Sequence, residues 1–292
     1  MTGLQGGQAV APGPIRLSRL PDDQAAIQPT LLGASVLSNE NIRADYWSLV
    51  LDAPTIAERA QPGQFVMLTV ARQGEAVPIL PRPMAIFRWD ATAGTIEIVY
   101  RLVGDGTRVL ATWDRGEVMT VVGPLGRGFR LKSDTSTILL LGRGIGTCSL
   151  TALAEVAIAR GVTVHAVASG RSRESVFGGG FYQEAGARHV LEVVDTDGSS
   201  DPERLRGNLL DMLDASGADQ VFVCGSQRLL ALGVELAARY QAEVQVSLEA
   251  HMACGLGYCH GCSTGAPGLA NEAPLVCTEG PVFVSTGGGS LS

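Results

Sequence analysis

Four of the chain's six cysteines fall between Cys254 and Cys277, spaced C-x4-C-x2-C and then C-x14-C. Gly255, Gly257 and Gly261 separate the first three sulfurs. Glycine tolerates φ > 0 and brings no Cβ into the way, so this stretch reads as a loop that wraps a central group and lets backbone N–H donors approach it. Four thiolates converging with such donors are what a [2Fe-2S] cluster requires.

The first three cysteines reproduce the plant-type ferredoxin spacing, and the last gap is shorter than the usual one. Structural zinc usually takes paired C-x2-C knuckles, and Cys259/Cys262 is the single such pair here. A disulfide framework suits a small secreted domain, whereas this chain has 292 residues. Electron transfer is therefore the leading theme, with Cys254, Cys259, Cys262 and Cys277 as the metal ligands.

That length gives room for two domains and a small third. A hydrophobic content of 46% indicates filled cores, while a net charge of −7 and 5% aromatics argue against a nucleic-acid partner. Residues 1–29 are rich in Gly, Pro and Gln and lack the charged-then-apolar order of a signal peptide. They are expected to form a flexible tail. The apolar stretch Thr137–Ala159 is interrupted by Arg143, three glycines and Glu155, and divides into strand, turn and helix rather than a membrane span. A cytoplasmic protein is the expectation.

The pattern predicts a multidomain β plus α/β chain. Over residues 30–131, Thr30–Leu37, Tyr46–Leu51, Gln64–Val70, Met84–Trp89, Thr95–Leu102 and Glu117–Val122 read as strands, with a helix near Thr107–Trp113. They suggest an antiparallel six-stranded barrel. Over residues 132–247 the pattern changes. Thr137–Leu141, Thr163–Ala168, Val190–Val194, Gln220–Cys224 and Glu243–Ser247 alternate with helical stretches at Cys148–Arg160, Phe181–Gly186, Arg204–Leu213 and Arg228–Tyr240. This is the signature of a doubly wound parallel α/β domain. Residues 248–292 form the cluster segment, with Gly287–Ser292 as a frayed end.

Several short motifs carry more than one meaning. Arg82-Pro83-Met84-Ala85 is either a flavin site, with Arg82 donating to a pyrophosphate, or a proline-rich turn. Val99-Tyr100-Arg101, followed by Gly104, Gly106 and Thr107, is either a phosphate-binding turn before a helix or a plain N-cap by Thr107. Together the two favour flavin. Gly142-Arg143-Gly144-Ile145-Gly146 opens a helix as a dinucleotide turn does, although tight βα turns also use glycine for packing alone. Cys224-Gly225-Ser226 ends a strand where ligands of open α/β sheets gather, while Cys224 and Cys148 also suit buried packing. Ser169-Gly170-Arg171-Ser172-Arg173 suits either a ribose 2′-phosphate or a charged loop. No nucleophile–base constellation and no paired catalytic carboxylates occur, so no catalytic residue is assigned.

This order of parts resembles the electron-transfer subunit family of dihydroorotate dehydrogenase B, within the ferredoxin–NADP reductase superfamily. The resemblance rests on Pro62-Gly63-Gln64-Phe65, Arg82-Pro83, Tyr100-Arg101, Gly106-Thr107, Gly123-Pro124-Leu125-Gly126, Asp197-Gly198-Ser199, Ser247–Gly255, the cysteine spacing and Gly280-Pro281-Val282-Phe283. It implies FAD at Arg82, Pro83, Met84, Ala85, Val99, Tyr100, Arg101, Gly106 and Thr107. A [2Fe-2S] cluster on the four cysteines and NAD(H) or NADP(H) at Gly142, Gly144, Gly146, Cys224 and Gly225 are implied as well. The expected partner is an FMN-containing dehydrogenase catalytic subunit, joined as a heterotetramer in pyrimidine biosynthesis. Three positions depart from the family pattern: Ala85 replaces a Ser or Thr near the flavin, Arg143 and Cys148-Ser149 alter the glycine turn, and Ser226 replaces Pro. These leave room for a reductase serving a different oxidoreductase or oxygenase, or a redox-sensing interaction protein without nicotinamide turnover.

Overall fold

The computed structural model describes residues 15–21, 28–75, 77–213, 217–265 and 273–286. Much of the expected tail and the frayed end at Gly287–Ser292 lie outside these residues. The tail expectation nevertheless meets structure at β1 (Arg16–Arg19), an edge strand paired antiparallel with β14 (Val282–Thr286). Its apolar alternation is too short to register in the sequence; the open edge of β14 supplies the pairing.

The first sheet contains β2 (Thr30–Arg43), β3 (Tyr46–Asp52), β4 (Phe65–Thr69), β5 (Arg82–Ala85), β6 (Arg88–Asp90), β7 (Thr95–Arg101) and β8 (Val118–Leu125), in the order β5-β4-β8-β2-β3-β7-β6. The stretch expected as one strand, Met84–Trp89, is two strands at opposite ends of this sheet. Ile86 and Phe87 cross between them, the Ile86 N–H donating to the Gln64 carbonyl (2.9 Å) and the Phe87 N–H to that of Glu97 (2.8 Å). One segment thus ties the two sheet ends together. Both crossing residues are fully buried, which is why the apolar run looked continuous. Two short helices, α1 (Pro54–Ala57) and α2 (Asp105–Leu110), complete this unit.

Alternation along the strands decides what fills the barrel. Val66 and Leu68 point into its core beside Leu49, Ile98 and Val121. Their neighbours Phe65 and Met67 are buried on the opposite face, against residues of the second unit. Covering β4 on both sides explains its unbroken apolar sequence.

The second sheet has the order β1-β14-β13-β12-β9-β10-β11. Its parallel part is β9 (Thr137–Arg143), β10 (Thr163–Gly170), β11 (His189–Val194), β12 (Gln220–Cys224) and β13 (Glu243–Ser247). The helices are α3 (Gly146–Ala159), α4 (Gly179–Ala185), α5 (Pro202–Leu213) and α6 (Gln227–Tyr240). From β11 the chain returns to place β12 beside β9, so the strand order reverses between β9 and β12. Ligands of open α/β sheets bind at such a switch point, beyond the strand C-termini. Among the described residues no helix is long and apolar enough to cross a membrane.

An aromatic cluster joins the two units. Tyr46 of β3 stacks on Phe177 (centroids 4.3 Å apart, planes 10°), and Phe87 meets Phe181 edge-on at 5.0 Å. Arg88 covers both phenylalanine rings and pairs with Glu155 of α3 at 2.6 Å.

The turn before β8 is held by a fork. Arg72 Nε and Nη2 reach the Glu117 carboxylate at 2.6 and 2.9 Å, and its guanidinium lies over the Trp113 ring. The Arg72 hydrogen bond, helped by the Asp114 N–H, lowers the Glu117 carboxyl from 4.5 to about 2. A depressed carboxylate adds stability that is complete above its unfolded value and lost as pH falls through the folded one. Glu117 is about one-third exposed, so the contribution is screened and small. Thermal unfolding should find Glu117→Gln less stable than the parent near neutral pH, with the gap closing between pH 4.5 and about 2.

Candidate functional site

A cavity of about 790 Å³ opens where the barrel, the glycine turn after β9 and the segment after β13 meet. That volume lies in the range of cofactor sites. Every residue that the sequence assigns to a flavin lines it: Arg82 through Ala85, Val99 through Arg101, Gly106 and Thr107. The barrel closure brings them together, because β5 carries the first group and β7 leads through a turn into α2.

Gly106 shows why its residue type matters. A Cβ there would overlap the Arg82 guanidinium, which lies directly on the first turn of α2. Arg82 also donates from Nη1 to the Leu80 carbonyl at 2.6 Å. Tyr100 is fixed by a different route. Its hydroxyl donates to Asn39 Oδ1 (2.9 Å), and Asn39 Nδ2 donates to the Leu110 and Trp113 carbonyls closing α2. Burial pushes the Tyr100 phenol up, with the Asn39 bond opposing. Thr107 is not the N-cap of α2. Gly104 holds that position, and the Thr107 hydroxyl folds back, accepting from the Val103 and Gly104 N–H groups at 3.0 and 3.1 Å. Its hydroxyl thus secures the turn. Ala85 presents only a methyl group to the cavity.

The nucleotide-binding candidates divide. Gly146 and Cys224 line the same cavity, with Cys148 and Ser149 beside them. Gly142, Gly144 and Gly225 do not line it; they shape the turns behind. Gly142 packs on Thr147, and Gly225 sits against the Arg143 carbonyl. Burial pushes the Cys224 thiol up to about 12, Glu249 adds to this, and hydrogen bonds to Ser149 and Ser247 oppose it. Burial likewise pushes Cys148 up. Both are therefore protonated thiols near neutral pH. Site assignment from sequence omitted Ile145, Ser149 and the run Ser247–Met252, which also line the cavity. Their signal was their position beside motifs already singled out.

From that run the chain enters the cysteine loop. Gly255 (φ 68°) lies on Met67 of β4, where a Cβ would collide with the thioether. Cys262 and Cys277 are buried in the core shared with Phe65, Met67 and Leu125, while Cys259 is exposed. The thiols interact in two pairs, Cys254 with Cys259 and Cys262 with Cys277. Backbone donors face the sulfurs. Leu256 and Cys259 N–H groups reach Cys254 Sγ at 3.4 and 3.5 Å, and the Cys277 N–H reaches Cys262 Sγ at 3.4 Å. Burial raises the Cys254 thiol, but these donors outweigh it and bring the group to about 7. Burial, reinforced by Cys262, takes Cys277 to about 12. Among the described residues no group of three or more His, Cys, Asp or Glu side chains is gathered to hold a metal ion. Two thiol pairs with surrounding N–H donors instead fit a two-iron cluster.

Residues 249–286 match the family described as the iron–sulfur cluster binding domain of dihydroorotate dehydrogenase B. The chain is 35% identical over 254 residues to the dihydroorotate dehydrogenase B (NAD(+)) electron transfer subunit of Bacillus caldolyticus, covering 85% of this chain and 95% of that one. The Bacillus cereus (strain B4264) subunit is 34% identical over 255 residues, with 85% and 94% covered. In fold, the chain is similar to a structure of NADH-dependent reduced ferredoxin–NADP oxidoreductase (TM-score 0.71, 22% identity, 86% of this chain and 87% of that one). It is also similar to the ferredoxin reductase in carbazole 1,9a-dioxygenase (TM-score 0.58, 19% identity, 75% and 68% covered). Sequence and architecture agree, and the chain belongs to the dihydroorotate dehydrogenase B electron-transfer subunit family.

Proposed function

We propose that this protein passes electrons between a nicotinamide dinucleotide and an FMN-containing dehydrogenase that oxidises dihydroorotate, as one subunit of a cytoplasmic heterotetramer in pyrimidine biosynthesis. The observation that carries this reading is the single cavity shared by the barrel motifs, the glycine turn and the run leading into Cys254. FAD, bound at Arg82–Ala85, Val99–Arg101, Gly106 and Thr107, would convert between hydride and single electrons, which a [2Fe-2S] cluster on Cys254, Cys259, Cys262 and Cys277 would carry.

The chain's own residues do the positioning. Arg82 presents a cation to a pyrophosphate, and Gly106 leaves it room. Tyr100, anchored through Asn39, fixes the β7 edge of the site. Gly146 lets a dinucleotide approach the N-terminus of α3 and Cys224 borders the crevice from the neighbouring strand, while Gly142, Gly144 and Gly225 shape the turns that hold them there. Leu256 and Cys259 supply N–H donors that favour thiolate at Cys254. Exposed Cys259, with Tyr258 and Leu256 uncovered beside it, is the face through which the cluster meets the partner.

Three measurements test this reading. Co-purification should recover an FMN protein that oxidises dihydroorotate, and the pair should reduce NAD(P)+ when dihydroorotate is added; a pair that fails to do so contradicts the assignment. Gly106→Ala displaces Arg82 and should weaken FAD retention about tenfold, the scale of one charged hydrogen bond, read from bound flavin absorbance. Cys262→Ser should abolish the iron–sulfur absorbance while leaving bound flavin, because Cys262 does not line the flavin cavity.

A further inference from the structure

The outer face of the barrel sheet carries apolar side chains that stay exposed. Along β8 burial alternates: Met119 and Val121 fill the barrel, while Val118 and Thr120 face outward. β2 follows the same pattern, with Ala34 and Val36 inside and Leu31 and Gly33 outside. Leu31 is 69% exposed and Val118 is 62% exposed. Single exposed apolar residues are ordinary, but these two adjoin. Strand pairing sets Leu31 opposite Val122 and Gly33 opposite Thr120. A Cβ at Gly33 would come within 3.0 Å of Val118 Cγ1, so Val118 leans over the gap beside Leu31.

The patch runs on to the cysteine loop. Val122 lies opposite Leu31 on one side and opposite Met67 of β4 on the other. Opposed residues of adjacent strands project to the same face, so Leu31, Val122 and Met67 form one row across three strands. Gly255 roofs the Met67 end of that row. The next residue, Leu256, is 51% exposed, and Tyr258 is 91% exposed. One surface therefore joins the barrel face to the exposed end of the loop at Cys259. Its outward positions on the three strands, Leu31, Gly33, Val118, Thr120, Val122 and Thr69, carry no charge. The Arg72–Glu117 pair borders it beside Val118. An uncharged centre with a charged rim is the make-up of an interface core. A stable pairing engages about twenty residues on each side, far more than Leu256, Tyr258 and Cys259 supply.

We infer that this strip of β2 and β8 is the second half of the docking surface, and that the catalytic subunit served by the cluster covers it. The chain belongs to an electron-transfer subunit family, so its partner must sit where the cysteine loop is exposed, and the strip is continuous with that loop. A second copy of this chain on the strip would crowd the same loop and shield Cys259 from the partner. The inference rests on the electron-transfer reading above and adds where the partner sits.

The test is calorimetric titration of the flavin- and cluster-loaded protein, and of its Leu31→Glu and Val118→Glu variants, with the FMN-containing subunit that oxidises dihydroorotate. Each substitution should weaken association at least about tenfold, as an unpaired charge does in an interface core. Dihydroorotate-driven reduction of NAD+ at limiting subunit should fall with it. Flavin and cluster absorbance, and reduction of the flavin by NADH in the chain alone, should stay at the parent's level, because neither residue lines the cavity. Ile42→Glu, an exposed position at the far end of β2, should bind as the parent does. Leu31→Ser replaces a variant that loses its flavin. Parental affinity in both Glu variants, or an equal loss in Ile42→Glu, overturns the inference and leaves the electron-transfer reading standing. A dimer of the chain alone that Leu31→Glu disperses assigns the strip to a second copy and overturns it too. So does a lowered melting temperature of Leu31→Glu in the chain alone, which marks the strip as covered by the chain's own residues. A parent protein that does not bind this subunit at all contradicts both the inference and the electron-transfer reading.

Discussion

The cysteine segment must bring four thiols together while it is wedged between two folded units, and the rest of the architecture depends on that constraint. Gly255 rests on Met67 of the barrel, Cys262 and Cys277 sit in a core shared by both units, and β14 then joins the α/β sheet beside β13. Anchored at both ends, the loop can expose Cys259 without losing its shape. Such anchoring limits how far the sulfurs can move when a cluster is held or changes charge.

The same wedge closes the flavin cavity. Ser247–Met252 runs along its wall before reaching Cys254, so one strand exit leads past the cavity and into the cysteine loop. The aromatic stack of Tyr46 on Phe177 and the Arg88–Glu155 pair hold the barrel against the α/β unit on another side. Side-chain packing thus adds to the chain connection in holding the two units together.

Much of the arrangement was legible in the sequence because its signals are local. Alternation in Thr95–Leu102 and apolar runs such as Gln220–Cys224 identify strands by burial alone. The C-x4-C-x2-C spacing identifies a ligand loop by the geometry it permits. What stayed hidden depends on distant partners. Arg16–Arg19 becomes a strand because β14 offers an edge. Met84–Trp89 splits because Ile86 and Phe87 cross from one end of the barrel sheet to the other. The direction of Arg143 could not be read from a glycine turn, since it is set by Asp195, which lies more than fifty residues later in sequence.

The most direct test of the account is anaerobic titration of the loaded protein with a nicotinamide dinucleotide, followed by absorbance and low-temperature paramagnetic resonance. Electron relay predicts that flavin absorbance bleaches and that the paramagnetic signal of a reduced [2Fe-2S] cluster grows with it. A flavin that bleaches while the cluster stays oxidised, or a colourless protein carrying zinc on its cysteines, would contradict it.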